Sequence, residues 1–179
     1  NSLAAFYRIS LSYGYDKISV QNLVQMLDSY LKIQKLSLGD ALSYEIVTPQ
    51  ELYSYTVPKY LFIPLVDNAI HHGIKELDDG VVCVSLRENS GILRFCVTDN
   101  GHGISSMRLA QIRTQLAGAN PADTDCFALK NLNAQLALYF NNLKGVQIDS
   151  REGFGSSFWF DMPVSKLTSE KGEMSQCCK

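Results

Sequence analysis

Two short polar boxes set into apolar text, one on either side of a pair of strand-like runs, constrain this chain more than any other feature. The first reads P-K-Y-L-F-I-P-L-V-D-N-A-I-H-H-G over 58–73, and the second reads D-N-G-H-G over 99–103. On a helical wheel advancing roughly 100° per residue, Asp67, Asn68, His71 and His72 fall within one arc of about 140°, opposite Phe62, Leu65, Val66, Ala69 and Ile70. The spacing predicts a helix that opens with Pro58 in its first turn, closes on Gly73 as a C-terminal cap, and presents two acceptor side chains and two imidazoles together. The second box ends a strongly β-type run and puts Asp99 just before Gly101 and Gly103. Such a loop either needs positive φ or admits something close to its backbone.

The order and separation of the two boxes resemble the N box and first glycine box of the GHKL, or Bergerat-fold, ATPases. L-V-D-N-A-I-H-H-G-I is especially similar to the P-L-V-E-N-A-I-K-H-G of sensor histidine kinases. F-Y-R-I-S-L-S and Y-L-K-I-Q-K resemble the segment joining the dimerisation helices to the ATPase domain, and A-L-K-N-L-N-A-Q-L-A-L-Y-F resembles the family's G-L-x-N-x-x-x-R-L-x-L-Y. A gyrase-type or mismatch-repair-type ATPase of the same superfamily fits less well, given Y-L-K-I-Q-K and the length of 179 residues.

Taken in order, the chain offers an amphipathic helix over Leu3–Tyr13 stopped by Gly14, then a second helix capped by Ser19 and running to about Leu38. A strand within Asp40–Thr48 ends at Pro49. Strands over Val81–Arg87 and Ile92–Thr98 form a hairpin around E-N-S-G. A helix over Ile104–Leu116 turns Ile104, Met107, Leu109, Ile112 and Leu116 inward. Ala117–Cys126 is a non-periodic loop, which by the resemblance occupies the place of the lid over the nucleotide. A helix over Ala128–Phe140 with Leu129, Leu132, Leu136 and Tyr139 on one side precedes a final hairpin, Val146–Ser150 and Ser156–Met162, around R-E-G-F-G. From Ser165 the text turns polar, as in a mobile tail. The fold expected is α+β: a two-layer sandwich of a mixed, mostly antiparallel sheet covered on one face by helices, the Bergerat fold, with N-terminal helices. Residues 1–39 read as the end of a dimerisation region and connecting helices, 40–164 as the ATP-binding domain, and 165–179 as the tail.

The resemblance implies Mg²⁺·ATP as cofactor and transfer of its γ-phosphoryl to a histidine that lies outside this chain, for relay to a response regulator. It also implies a homodimer formed through upstream helices, in the cytoplasmic domain of a bacterial inner-membrane sensor. A degenerate member acting as a dimeric scaffold is the alternative. The residues support the site one by one. Asp99 accepts hydrogen bonds only, so it complements the exocyclic amine of adenine and repels the carbonyl of guanine; read alone, D-N-G is also ordinary turn chemistry. Asn68 offers one amide oxygen to Mg²⁺, which takes few protein oxygens when phosphate supplies the rest, though a polar helix residue reads the same. By resemblance, Asp67 and His71 are the catalytic candidates, Asp67 standing where glutamate is usual and His71 either near the phosphates or a surface histidine. Gly101, Gly103, Lys130, Asn131, Gly153 and Gly155 complete the nucleotide set. One departure stands out: Cys126-Phe127-Ala128-Leu129 replaces the family's G-x-G-L, whose backbone amides receive phosphates.

Composition narrows the rest. With a formal net charge of −2 there is no basic field, which argues against nucleic acid as a partner. The five cysteines have no zinc-type spacing and read as reduced thiols. No apolar run in this chain is long enough to span a membrane.

Overall fold

The structure, a computed structural model, describes residues 17–118, 126–140 and 144–164. The helix expected over Leu3–Tyr13, most of the lid segment and the tail from Ser165 lie outside the described residues. A short strand β1 (Lys17–Ser19) leads into helix α1 (Val20–Leu38), whose start Ser19 caps by accepting the Asn22 amide at 3.1 Å. Strand β2 (Leu42–Val47) follows, then β3 (Thr56–Pro58), helix α2 (Ile63–Asn68) with a wider π-helical continuation over Ala69–Ile74, and the hairpin β4 (Gly80–Asn89) and β5 (Ile92–Asp99). Helices α3 (Ser106–Ala117) and α4 (Phe127–Phe140) precede a second hairpin, β6 (Gln147–Arg151) and β7 (Gly155–Pro163).

The main sheet has the order β2-β4-β5-β7-β6; β2 and β4 run parallel and every other pair is antiparallel. This is the mixed, mostly antiparallel sheet the α+β reading expects. One face of the sheet carries the core. Val82, Val84 and Leu86 of β4, Leu93, Phe95 and Val97 of β5, and Phe158, Phe160 and Met162 of β7 are buried on it in strict alternation. Helix α1 adds Val20, Leu23, Leu27 and Leu31 to the same core, and α2 adds Leu65 and Val66. Between the layers Phe62 meets the Phe95 ring edge-on at 4.9 Å, with Phe160 5.5 Å from Phe95. Such pairs contribute about 0.5–1.5 kcal/mol each beyond the area they bury.

Several local expectations are corrected. Pro58 does not open a helix: it ends β3, where it pairs with Lys17 of β1 in a two-stranded ribbon. Pro64 holds the first-turn position, where a missing N–H costs nothing. Gly73 is not a cap but an interior residue of the π-helical turn. Met107 is 75% exposed rather than inward, because Leu109 and Ile112 already define the buried stripe of α3. Tyr139 also lies outside the buried stripe of α4, which consists of Leu129, Leu132 and Leu136. The E-N-S-G hairpin tightens to a two-residue turn, with Ser90 and Gly91 both at positive φ.

Candidate functional site: a cleft between helices and sheet

The alternation that buries Leu93, Phe95 and Val97 carries one step further and buries Asp99 on the same face, 4% exposed. A carboxylate thus sits in phase with the core at the end of a strand. Its Oδ1 accepts the Gly101 amide at 2.8 Å, while Oδ2 is buried with no hydrogen-bond partner among the described residues. Burial pushes the Asp99 carboxyl above the usual aspartate range, opposed in part by the Gly101 and Ser156 amides. An orphaned buried acceptor of this kind calls for a donor from outside the protein.

Glycines hold this carboxylate in place. A Cβ on Gly73 would lie 2.7 Å from Asp99 Cγ, so only glycine lets α2 pass this close. A Cβ on Gly101 would lie 2.2 Å from the Gly73 carbonyl oxygen, and the His102 amide donates to that same oxygen at 3.2 Å. The two glycine loops are then locked together. The Gly153 amide donates to the His102 carbonyl at 2.7 Å, and the Ile104 amide donates to Ser150 Oγ at 2.8 Å. Asn100 anchors the other side, its Oδ1 accepting the Val81 amide at 2.6 Å.

A cleft of about 380 Å³ opens over Asp99. Asn68 of α2, His72 and Gly73 of its π-helical continuation, Gly103 of the glycine loop, Arg108 of α3, Cys126 just before α4 and Leu129 within it are among the residues that line it. The structure therefore brings Asn68, Asp99 and Gly103 to one cavity. Gly101 and Gly155 shape its wall from behind: a Cβ on Gly155 would lie 2.0 Å from the Asp99 carbonyl oxygen. Gly153 sits exposed at the hairpin tip with a φ of 78°. Lys130 and Asn131 follow Leu129 on α4 and do not line the cleft.

The polar arc of α2 divides in two. Asn68 and His72 line the cavity, whereas Asp67 and His71 are not among its lining residues and pair with each other, His71 Nε2 lying 3.2 Å from Asp67 Oδ1. That oxygen also accepts a hydrogen bond from the Tyr30 hydroxyl of α1. His72 and Arg108 are cleft residues that the sequence reading did not select. For His72 the signal was there, four residues after Asn68 on one helical face. Arg108 had none, because only the tertiary fold turns α3 toward α2. At the start of α4, the Cys126 side chain is buried with Sγ 3.2 Å from Gln115 Oε1, and Ala128 is exposed.

An α+β sandwich with a carboxylate-floored cleft between its helices and sheet is the class that fold and site define. The chain belongs to the histidine kinase-, DNA gyrase B-, and HSP90-like ATPases: that family model matches residues 57–166. Membership makes this a nucleotide-binding domain. Among curated relatives, the sensor protein LytS of Streptococcus mutans is 29% identical over 168 residues, covering 92% of this chain and 28% of that protein. The sensor protein kinase HptS of Staphylococcus aureus is 26% identical over 166 residues, covering 92% of this chain and 31% of that protein. The chain thus spans under a third of the length of these relatives. Among solved structures, the catalytic domain of the histidine kinase ThkA matches with a TM-score of 0.61 at 16% identity, covering 84% of this chain and 97% of that one. Full-length ShkA in complex with AMPPNP matches with a TM-score of 0.62 at 17% identity, covering 94% of this chain and 36% of that one. These two likenesses establish the fold.

Proposed function

We propose that this domain binds Mg²⁺·ATP and serves a sensor histidine kinase, passing a phosphoryl group to a histidine and from there to an aspartate of a response regulator. The buried, unpartnered Oδ2 of Asp99 at the floor of the cleft carries this reading. It fits the exocyclic amine of adenine, a donor where guanine has an acceptor. Bound ATP would supply the phosphoryl group. Asn68 would offer its amide oxygen to Mg²⁺, and Asp67 and His71, beside it on the same helix, would orient the incoming acceptor and its proton. Arg108, which lines the cleft from α3, would neutralise phosphate charge. Among the described residues no helix is long and apolar enough to cross a membrane. We place the domain on the cytoplasmic side of a sensor, in a homodimer made by helices upstream.

Calorimetric titration with ATP, with and without Mg²⁺, beside GTP, tests the reading. Adenine-selective binding strengthened by Mg²⁺ is expected; no binding at millimolar ATP would favour the scaffold alternative, which the lost lid glycines at Cys126 and Ala128 motivate. Arg108→Ala should weaken ATP about tenfold and leave adenosine unchanged, since one charge-assisted phosphate contact contributes about 1.5 kcal/mol.

Asp99 also gives a pH dependence. Its folded-state carboxyl titrates above the ordinary aspartate range of the unfolded chain. The nucleotide-free domain therefore has its full share of stability from this group below that ordinary range and loses it as pH rises through the raised value. Recognition of the amine needs the carboxylate and runs the other way. Across that interval, the melting temperature without ligand should fall with rising pH while the increase produced by ATP grows.

A further inference from the structure

The Asp67 carboxylate is held from a distance. Tyr30, 37 residues earlier, donates its hydroxyl proton to Asp67 Oδ1. Helix α1 places the tyrosine there for a packing reason. Leu23, Leu27 and Leu31 form its buried stripe, and Tyr30 lies beside them with its ring against the core and its hydroxyl at the half-wet boundary where α2 passes. Burial, reinforced by Asp67, pushes the Tyr30 hydroxyl well above its ordinary range, so it remains a donor at every working pH. His71 holds the same carboxylate oxygen from the next turn of α2.

Asp67 is one residue from Asn68, and consecutive helical residues point roughly 100° apart. Asn68 therefore lines the cleft while Asp67, the residue before it, is turned toward α1. A carboxylate in that place must keep a defined direction to be useful, because a displacement of about 1 Å at a reacting group can lose up to 100-fold in rate. Its fixed direction depends on a side chain from α1, which is outside both motif boxes.

We propose that Tyr30 is a positioning residue for phosphoryl transfer: it aims the Asp67 carboxylate, and the seating of α1 on the domain thereby sets the transfer rate. This rests on the role assigned above to Asp67. The competing reading is a simple staple between α1 and α2, which would affect folding and nothing else.

Tyr30→Phe separates the two, since it keeps the ring and removes only the hydroxyl. In the full-length protein, the transfer rate from saturating Mg²⁺·ATP is measured in single turnovers, with nucleotide Kd and melting temperature taken on the same preparation. We expect the rate to fall about tenfold with Kd changed less than twofold. In an Asp67→Asn background, Tyr30→Phe should then have no further effect on rate, because the tyrosine acts through that carboxylate. A wild-type rate for Tyr30→Phe overturns the proposal. So does an equal loss in the Asp67→Asn background, or a loss matched by weaker nucleotide binding. If the unsubstituted protein binds no nucleotide, the kinase reading itself fails. If it binds nucleotide and Asp67→Asn transfers normally, the kinase reading stands and the Tyr30 proposal falls.

Discussion

Asp99→Asn should weaken ATP binding by about 100-fold while leaving the domain folded. The substitution is nearly isosteric, and the remaining amide oxygen can still accept the Gly101 amide that Asp99 Oδ1 accepts at 2.8 Å. What changes is the atom in the place of Oδ2, now an NH₂ group at the floor of the cleft. Two donors then face each other where adenine presents its amine. The loss combines a charge-assisted hydrogen bond with a desolvated, unpaired donor, together about 3 kcal/mol, and each 1.4 kcal/mol is tenfold. Stability should move little or improve at neutral pH, because the variant no longer buries a group whose charged form its surroundings disfavour. GTP is the informative control: its carbonyl accepts from the new amide, so the ratio of GTP to ATP affinity should rise. Titration calorimetry and a melting curve on one preparation check all three expectations. Unchanged ATP affinity would remove Asp99 from nucleotide recognition.

The second large effect is structural. Gly155→Ala puts a Cβ 2.0 Å from the Asp99 carbonyl oxygen and 3.0 Å from the Asn100 Cα, at a φ of 92°. Both neighbours are backbone of the β5 end that carries Asp99, so neither can move without moving the site. Positive φ costs about 1–2 kcal/mol for a residue with a side chain, and forced overpacking about 1–3 kcal/mol more. At about 2–4 °C per kcal/mol for a domain of this size, the melting temperature should drop by roughly 10 °C. Gly153→Ala is the matched control: its φ is 78°, yet nothing lies within 4 Å of the added Cβ. It should show the φ cost alone, about half the drop. Equal melting temperatures for the two variants would mean that the glycine loops are not packed as closely as described.

Much of this site was legible without a fold. The phase of β5 runs through Leu93, Phe95 and Val97 to Asp99, so a carboxylate at a core position could be read from spacing alone. The Ser19 cap and the existence of the β4–β5 hairpin were also legible, because each is decided by neighbours in the sequence, although the turn proved two residues tighter than E-N-S-G suggests. Other features had no local signal. Pro58 looks like a helix opener, yet β3 pairs with β1 across 41 positions (58 − 17), and strands of three residues have too little periodicity to announce themselves. Gly73 reads as a cap until Asp99 is found against it.

The sequence by itself determined the periodic elements and the chemical identity of the cleft, because helix and strand periods, caps and turns depend on residues a few positions apart. Only the tertiary structure decided which polar residues act together. It separated Asn68 from Asp67, brought Tyr30 to Asp67 and Arg108 to the cleft, and set two glycine loops in contact. Those meetings depend on packing between elements distant in the chain, where register and close approach are fixed by the shared core and not by any local preference.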